Sequence, residues 1–98
     1  MPELDKLIHE RARLLILTYL ASNEDTEISF NGIQKNLAFS SGNLSVQLKK
    51  LADAKYVKIH KTFKDNKPYT TVAITSKGAK ALSAYLEEME QIIKSLKR

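Results

Sequence analysis

Ser40-Ser41-Gly42-Asn43-Leu44-Ser45-Val46-Gln47-Leu48-Lys49-Lys50-Leu51 is the stretch whose reading decides the fold. Leu44, Leu48 and Leu51 recur at helical spacing and form one apolar stripe. Ser40 suits the N-cap of a helix over 41–54, and Phe39 and Leu44 stand at the spacing of a hydrophobic staple. Just upstream, Ser29 suits the cap of a helix over Phe30–Leu37, with Phe30, Ile33 and Leu37 on one face. Gly32 inside it costs ~1 kcal/mol against alanine, a cost that close packing on a neighbouring helix would justify. A short link joins the two helices, which is helix-turn-helix geometry.

Downstream of Lys55 the period changes from 3.6 to 2. Val57, Ile59, Lys61 and Phe63 face one way; Lys58, His60 and Thr62 face the other. Lys64-Asp65-Asn66-Lys67-Pro68 reads as a turn, and the β-branched run over 69–74 as the returning strand of a hairpin. Thr75 suits the cap of a last helix over 76–97. Upstream, a helix is expected over 2–21, with Pro2 in its first turn and Glu3 and Asp5 at the positive end of its dipole. Leu14-Leu15-Ile16-Leu17 is apolar all round, so neighbours should contact this helix on several sides. Ser22-Asn23-Glu24-Asp25-Thr26 is a turn, and Glu27-Ile28-Ser29 at most a very short strand.

Helix, short strand, helix-turn-helix, hairpin and long helix is the order of a winged helix. The expected fold is mainly α with a small β-hairpin (α+β): a winged helix-turn-helix body over 1–75 and a dimerisation helix over 76–98, one domain overall.

Charge points to the partner. Residues 35–67 carry eight lysines against Asp53 and Asp65, a net +6, whereas residues 1–34 net −3 and residues 68–98 net +2. A positive field this concentrated suits a polyanion, and double-stranded DNA is the expected one. With the leucine stripe turned inward, Gly42, Asn43, Val46, Lys49, Lys50 and Asp53 point outward and Gln47 sits on the flank. Asn and Gln can contact adenine bidentately in the major groove, Lys can reach guanine or phosphate, and Val46 can meet a thymine methyl. Ser40, Ser41 and the free amides at the helix start suit a phosphate, and Gly42 lets a backbone come close. Lys61, Lys64 and Lys67 ring the hairpin turn with only Asp65 against them, a composition for backbone or minor-groove contact. Lys35 adds a backbone contact. Arg11 and Arg13 lie on a helix with Glu10, where arginine is more often ion-paired or solvated.

On the last helix, Ala79, Leu82, Leu86, Met89, Ile93 and Leu96 follow the seam spacing of a coiled coil, broadened by Ala81, Tyr85 and Ile92. A body this small cannot bury all of that surface, so Leu82, Leu86, Met89, Ile93 and Leu96 are expected to form a homodimer interface. Two-fold pairs also match palindromic DNA.

Residues 40–51, followed by Ala54-Lys55-Tyr56-Val57, resemble the recognition-helix signature of the ArsR and MarR types of bacterial and archaeal regulator. Lys67-Pro68-Tyr69-Thr70 and Ile74-Thr75-Ser76-Lys77-Gly78 resemble the wing strand and last-helix start of small single-domain winged-helix regulators. The resemblance covers about residues 8–95 and implies a transcriptional regulator. Lys55 departs from it, since such families often carry glycine there, and a left-handed residue disfavours lysine. Metal sensing in the ArsR type uses cysteine or His/Asp/Glu pairs. This chain has no cysteine and only His9 and His60, so no metal site and no cofactor are expected.

With 43% hydrophobic and 28% charged residues the composition is that of a globular chain, not a disordered one. No apolar run approaches a membrane span, and acids precede the first apolar stretch, so neither a membrane partner nor a signal peptide is expected, and the location is taken as cytoplasmic. No Gly-x-Ser-x-Gly occurs and the three glycines are too scattered for a phosphate loop, so an enzyme is not expected. A small-molecule effector is not indicated: Tyr19, Tyr85 and Met89 could line a pocket, but aromatics at such spacings more often pack a core. The rival is a winged helix used as a protein-interaction module, against which the Asn43-Val46-Gln47-Lys50 set and the lysine wing both count.

Overall fold

Each helix begins at a side chain that captures the amides its own first turn leaves unpaired. In the computed structural model, which describes residues 4–23 and 26–97, the elements run α1 Arg11–Ala21, β1 Ile28–Ser29, α2 Phe30–Leu37, α3 Ser41–Asp53, β2 Val57–Lys64, β3 Lys67–Ile74 and α4 Ser76–Leu96. Ser29 Oγ accepts from the Gly32 amide, Ser40 Oγ from Asn43 and Thr75 Oγ1 from Gly78. Three of the four caps thus fall on the residues expected to provide them.

The fourth does not. The helix expected over 2–21 starts at Arg11, because Glu10 in extended conformation caps it, its carboxylate accepting from the Ala12 and Arg13 amides. Asp5 Oδ1 holds the Leu7 and Ile8 amides in a turn, so residues 4–10 fold as an irregular segment. That segment still reaches the core: Ile8 is fully buried. Pro2 lies outside the described residues. Tyr56 Oη donates to Asp5 Oδ2 at 2.5 Å, and this bond, with burial, pushes the phenol up to about 12.

The sheet order is β1-β3-β2, all antiparallel. β2 and β3 pair from Val57↔Ile74 out to Lys64↔Lys67, leaving only Asp65 and Asn66 in the turn. Both have positive φ (53° and 63°), as a type I′ hairpin turn requires. The turn is therefore two residues, not the expected five. Pro68 sits within β3 opposite Phe63, beyond the reach of β1, so its missing N–H falls on an open edge.

The core joins Ile16, Leu17 and Leu20 of α1, Ile33 of α2, the Leu44-Leu48-Leu51 stripe of α3, Val57, Val72, and Leu82 and Tyr85 of α4. Gly32 does not meet a neighbouring helix. A Cβ there would lie 3.0 Å from Oγ of its own cap, Ser29, so the site is tight for a local reason.

α3 ends at Ala54 with Lys55 in the left-handed region, φ 65°. The Lys55 amide donates to the Ala52 carbonyl and the Tyr56 amide to the Leu51 carbonyl, a Schellman closure built on lysine. Lysine is disfavoured in that conformation by about 1 kcal/mol. Lys55→Gly should therefore stabilise the fold by roughly 0.5–1 kcal/mol, raising the thermal midpoint by several degrees. A midpoint that falls would show that the Lys55 side chain contributes more than its backbone costs.

Candidate nucleic-acid interface

The leucine stripe sets the phase of α3. Leu44, Leu48 and Leu51 are buried, which leaves Ser41, Gly42, Asn43, Val46, Lys49, Lys50 and Asp53 exposed, with Gln47 half-buried at the flank. Val46 is 51% exposed and so lacks the packing on α2 or the wing that would explain its outward position otherwise. Space around Gly42 is open: a Cβ there would meet nothing within 4 Å. Ser40 is exposed but its Oγ already caps the helix. Lys49 Nζ lies 3.3 Å from Asp53 Oδ2, a pair so open to solvent that it holds the lysine only weakly. Lys35 lies exposed in the last turn of α2.

The flank is more organised than the helix pattern suggests. Arg13 Nη1 donates to Gln47 Oε1 at 2.7 Å, and Gln47 Nε2 donates to Asn43 Oδ1 at 3.1 Å. Arg13 is itself held by the Leu7 carbonyl, 2.6 Å from Nε, and by the Glu10 carboxylate, 3.6 Å from Nη1. The hydrogen bond from the Ala12 amide holds the Glu10 carboxyl below its ordinary value, with the Arg13 amide, the Arg13 charge and the Lys50 charge acting the same way against burial. The sequence places Arg13 beside Glu10 as ion-paired or solvated, and the ion pair forms; the contact across to α3 has no sequence signal because no spacing rule links residues 34 apart.

In the hairpin, side chains alternate between faces. Ile59, Lys61 and Phe63 share the face that closes on α3, and a groove of about 460 Å³ between them is lined by Phe30, Ser45, Leu48, Lys49, Ala52, Ile59, Lys61 and Thr70. Lys64 and Lys67 are a cross-strand pair on the opposite face. The three wing lysines therefore do not ring one spot, although all are exposed. Lys64 Nζ stands 5.0 Å from the centre of the Tyr69 ring. Phe63, near the tip, is 74% exposed.

The apolar face of α4 divides in two. Leu82 is 5% exposed and packs in the core, so the first turns of α4 belong to the body. Tyr85 is buried beside His9, whose Nδ1 lies 2.9 Å from its hydroxyl. Met89 is half-buried against the core. Leu86, Ile93 and Leu96 are 48%, 47% and 80% exposed. Tyr85 also lines an open cleft with residues of the N-terminal segment, but Tyr19 and Met89 do not share it.

A capped helix with a polar outward face, a lysine-bearing hairpin beside it and a long last helix form one constellation, and residues 12–93 match the winged helix DNA-binding domain. The chain belongs to the winged helix DNA-binding domain family. An uncharacterized protein of Methanocaldococcus jannaschii is 32% identical over 91 residues, spanning 93% of this chain and 97% of its own. A transcriptional regulator homologue of Pyrococcus horikoshii superposes with a TM-score of 0.86 at 28% identity, covering 94% of this chain and 89% of that one. The fold is also that of Staphylococcus aureus MepR in complex with DNA, with a TM-score of 0.66 at 21% identity, covering 89% of this chain and 62% of that one. Among the described residues no winged-helix element is long and apolar enough to cross a membrane.

Proposed function

We propose that this winged-helix protein is a transcriptional regulator that binds double-stranded DNA sequence-specifically as a homodimer. In this reading α3 enters the major groove and the hairpin contacts the backbone or minor groove. The observation that carries it is the outward face of α3: Asn43, Val46 and Lys50 are exposed on a helix whose buried stripe fixes their direction. That exposed set pairs a base-reading amide, Asn43, with a lysine, Lys50, which an interaction module has no need to combine. Lys35, Ser40, Ser41, Gly42, Lys49, Lys61, Lys64 and Lys67 supply phosphate contacts, and Gln47 acts from the flank. The MepR–DNA complex and the Pyrococcus regulator homologue support the same mode of action. The exposed distal face of α4, with Leu86, Ile93 and Leu96 and the half-buried Met89 at its edge, is the interface that would place two α3 helices one DNA turn apart.

Titration of labelled duplex at several salt concentrations tests this. Affinity for any duplex should fall steeply with salt, and Lys64→Ala with Lys67→Ala should lower the slope by about two units per protomer. Asn43→Ala should instead erode discrimination between sequences by ~1–3 kcal/mol on the preferred site. Absence of duplex binding at low salt would favour the interaction module.

A further inference from the structure

Arginine has five donors and no acceptor. The atom that Gln47 turns to Arg13 must therefore be its carbonyl oxygen, as found: Arg13 Nη1 donates to Gln47 Oε1 at 2.7 Å. This leaves the Gln47 amide nitrogen facing Asn43, and the atom that Asn43 turns back must be an acceptor. Asn43 Oδ1 takes that bond at 3.1 Å. The consequence is directional. Asn43 Nδ2, with two hydrogens, is left as its outward polar group, and the spare Gln47 N–H is a second donor.

We infer that Arg13 is a positioning residue that sets the polarity of base readout, so that α3 selects a guanine edge over an adenine edge at the base pair Asn43 meets. Guanine offers two acceptors in the major groove, N7 and O6; adenine offers one acceptor beside a donor, N6, which needs an outward amide oxygen. The Asn43 oxygen is turned toward Gln47, so the edge it presents outward is its nitrogen. Arg13 holds its place firmly, with a side chain only 12% exposed, bonded to the Leu7 carbonyl at 2.6 Å and paired with Glu10. The inference rests on the reading of α3 as the DNA-contacting helix and adds the class of base that it reads.

Selection from a random duplex pool tests it, using the intact protein and three variants. The informative base pair is the one whose preference disappears in Asn43→Ala. Wild type should show guanine there, about tenfold over adenine. Replacing that guanine with 7-deazaguanine, which lacks the N7 acceptor, should weaken binding about fivefold. Gln47→Glu keeps an acceptor toward Arg13 but offers Asn43 a second acceptor, which turns the Asn43 amide over. Its preference should move to a base carrying a donor, adenine or cytosine, whatever its overall affinity. Arg13→Met should flatten the guanine–adenine ratio to within about twofold, and the Gln47→Glu result stands even if that variant folds poorly. Enrichment of adenine by wild type, or an unchanged guanine preference in Gln47→Glu, would overturn the inference and leave DNA binding intact. A pool from which no duplex is enriched would overturn both.

Discussion

Gly78→Ala should lower the thermal midpoint by roughly 8–24 °C. α4 begins by crossing the junction between α3 and β2 at backbone contact. A Cβ on Gly78 would overlap the Tyr56 carbonyl and press on its Cα as well. That carbonyl is held by the Thr75 amide, which donates to it at 3.0 Å, while the Thr75 hydroxyl proton is shared between the Lys55 carbonyl at 2.7 Å and the Tyr56 carbonyl at 3.1 Å. The same hydroxyl accepts from the Gly78 amide as the α4 cap, so moving the helix start breaks the cap that defines it. Overpacking costs up to ~3 kcal/mol and more where backbone opposes backbone. Alanine's better helix propensity returns about 1 kcal/mol, leaving a net loss of about 2–3 kcal/mol. At ~4–8 °C per kcal/mol for a domain of this size, that gives the shift stated. Gly42→Ala is the internal control: the space around it is open, so its midpoint should hold or rise slightly. Equal melting of Gly78→Ala and wild type would mean that α4 does not dock as described.

The helix-turn-helix is local: two serine caps and one leucine stripe decide it, and its bounds fall where those residues put them. The strand pairing is nearly as legible because the change of period is abrupt. The start of α1 is not, because Asp5 and Glu10 read equally well as dipole-favouring acids inside a helix and as side chains that stop one. What decides between them is Tyr56, 51 residues away, which binds the other Asp5 oxygen. Lysine at the left-handed position shows the opposite case: its type argues against the conformation, yet the two Schellman bonds and the strand that follows impose it.

The candidate site divides along the same line. Exposure of Asn43, Val46 and Lys50 follows from the helix period alone. The tether on Gln47 does not, and it changes what the residue can be used for. Gln47→Ala would leave Arg13 short of a partner in a poorly solvated place, so that variant should lose stability as well as discrimination, unlike Asn43→Ala. Leu82 marks the limit of the periodic argument on α4: a heptad says which residues share a face, but the body of the same protomer takes the first part of that face.

Ile93→Glu tests the remainder of it and carries the largest expected effect on assembly. In the protomer Ile93 is 47% exposed, so a glutamate there meets water and should cost the fold little. In a two-fold pair of α4 helices the substitution occurs twice, and each carboxylate loses its hydration against apolar neighbours. Removing charges of this kind from water costs several kcal/mol, equivalent to at least a hundredfold weaker association. Sedimentation should then give a dimer for wild type and a folded monomer for Ile93→Glu, whose melting midpoint no longer depends on protein concentration, and Leu86→Glu should behave the same way. Leu82→Glu, in contrast, should unfold the protomer, because it places the charge in the core. Operator binding should fall with the loss of the dimer, since a single α3 reads only one half-site. If Ile93→Glu remains fully dimeric at micromolar concentration, α4 is not the seam and the two recognition helices must be paired through another face.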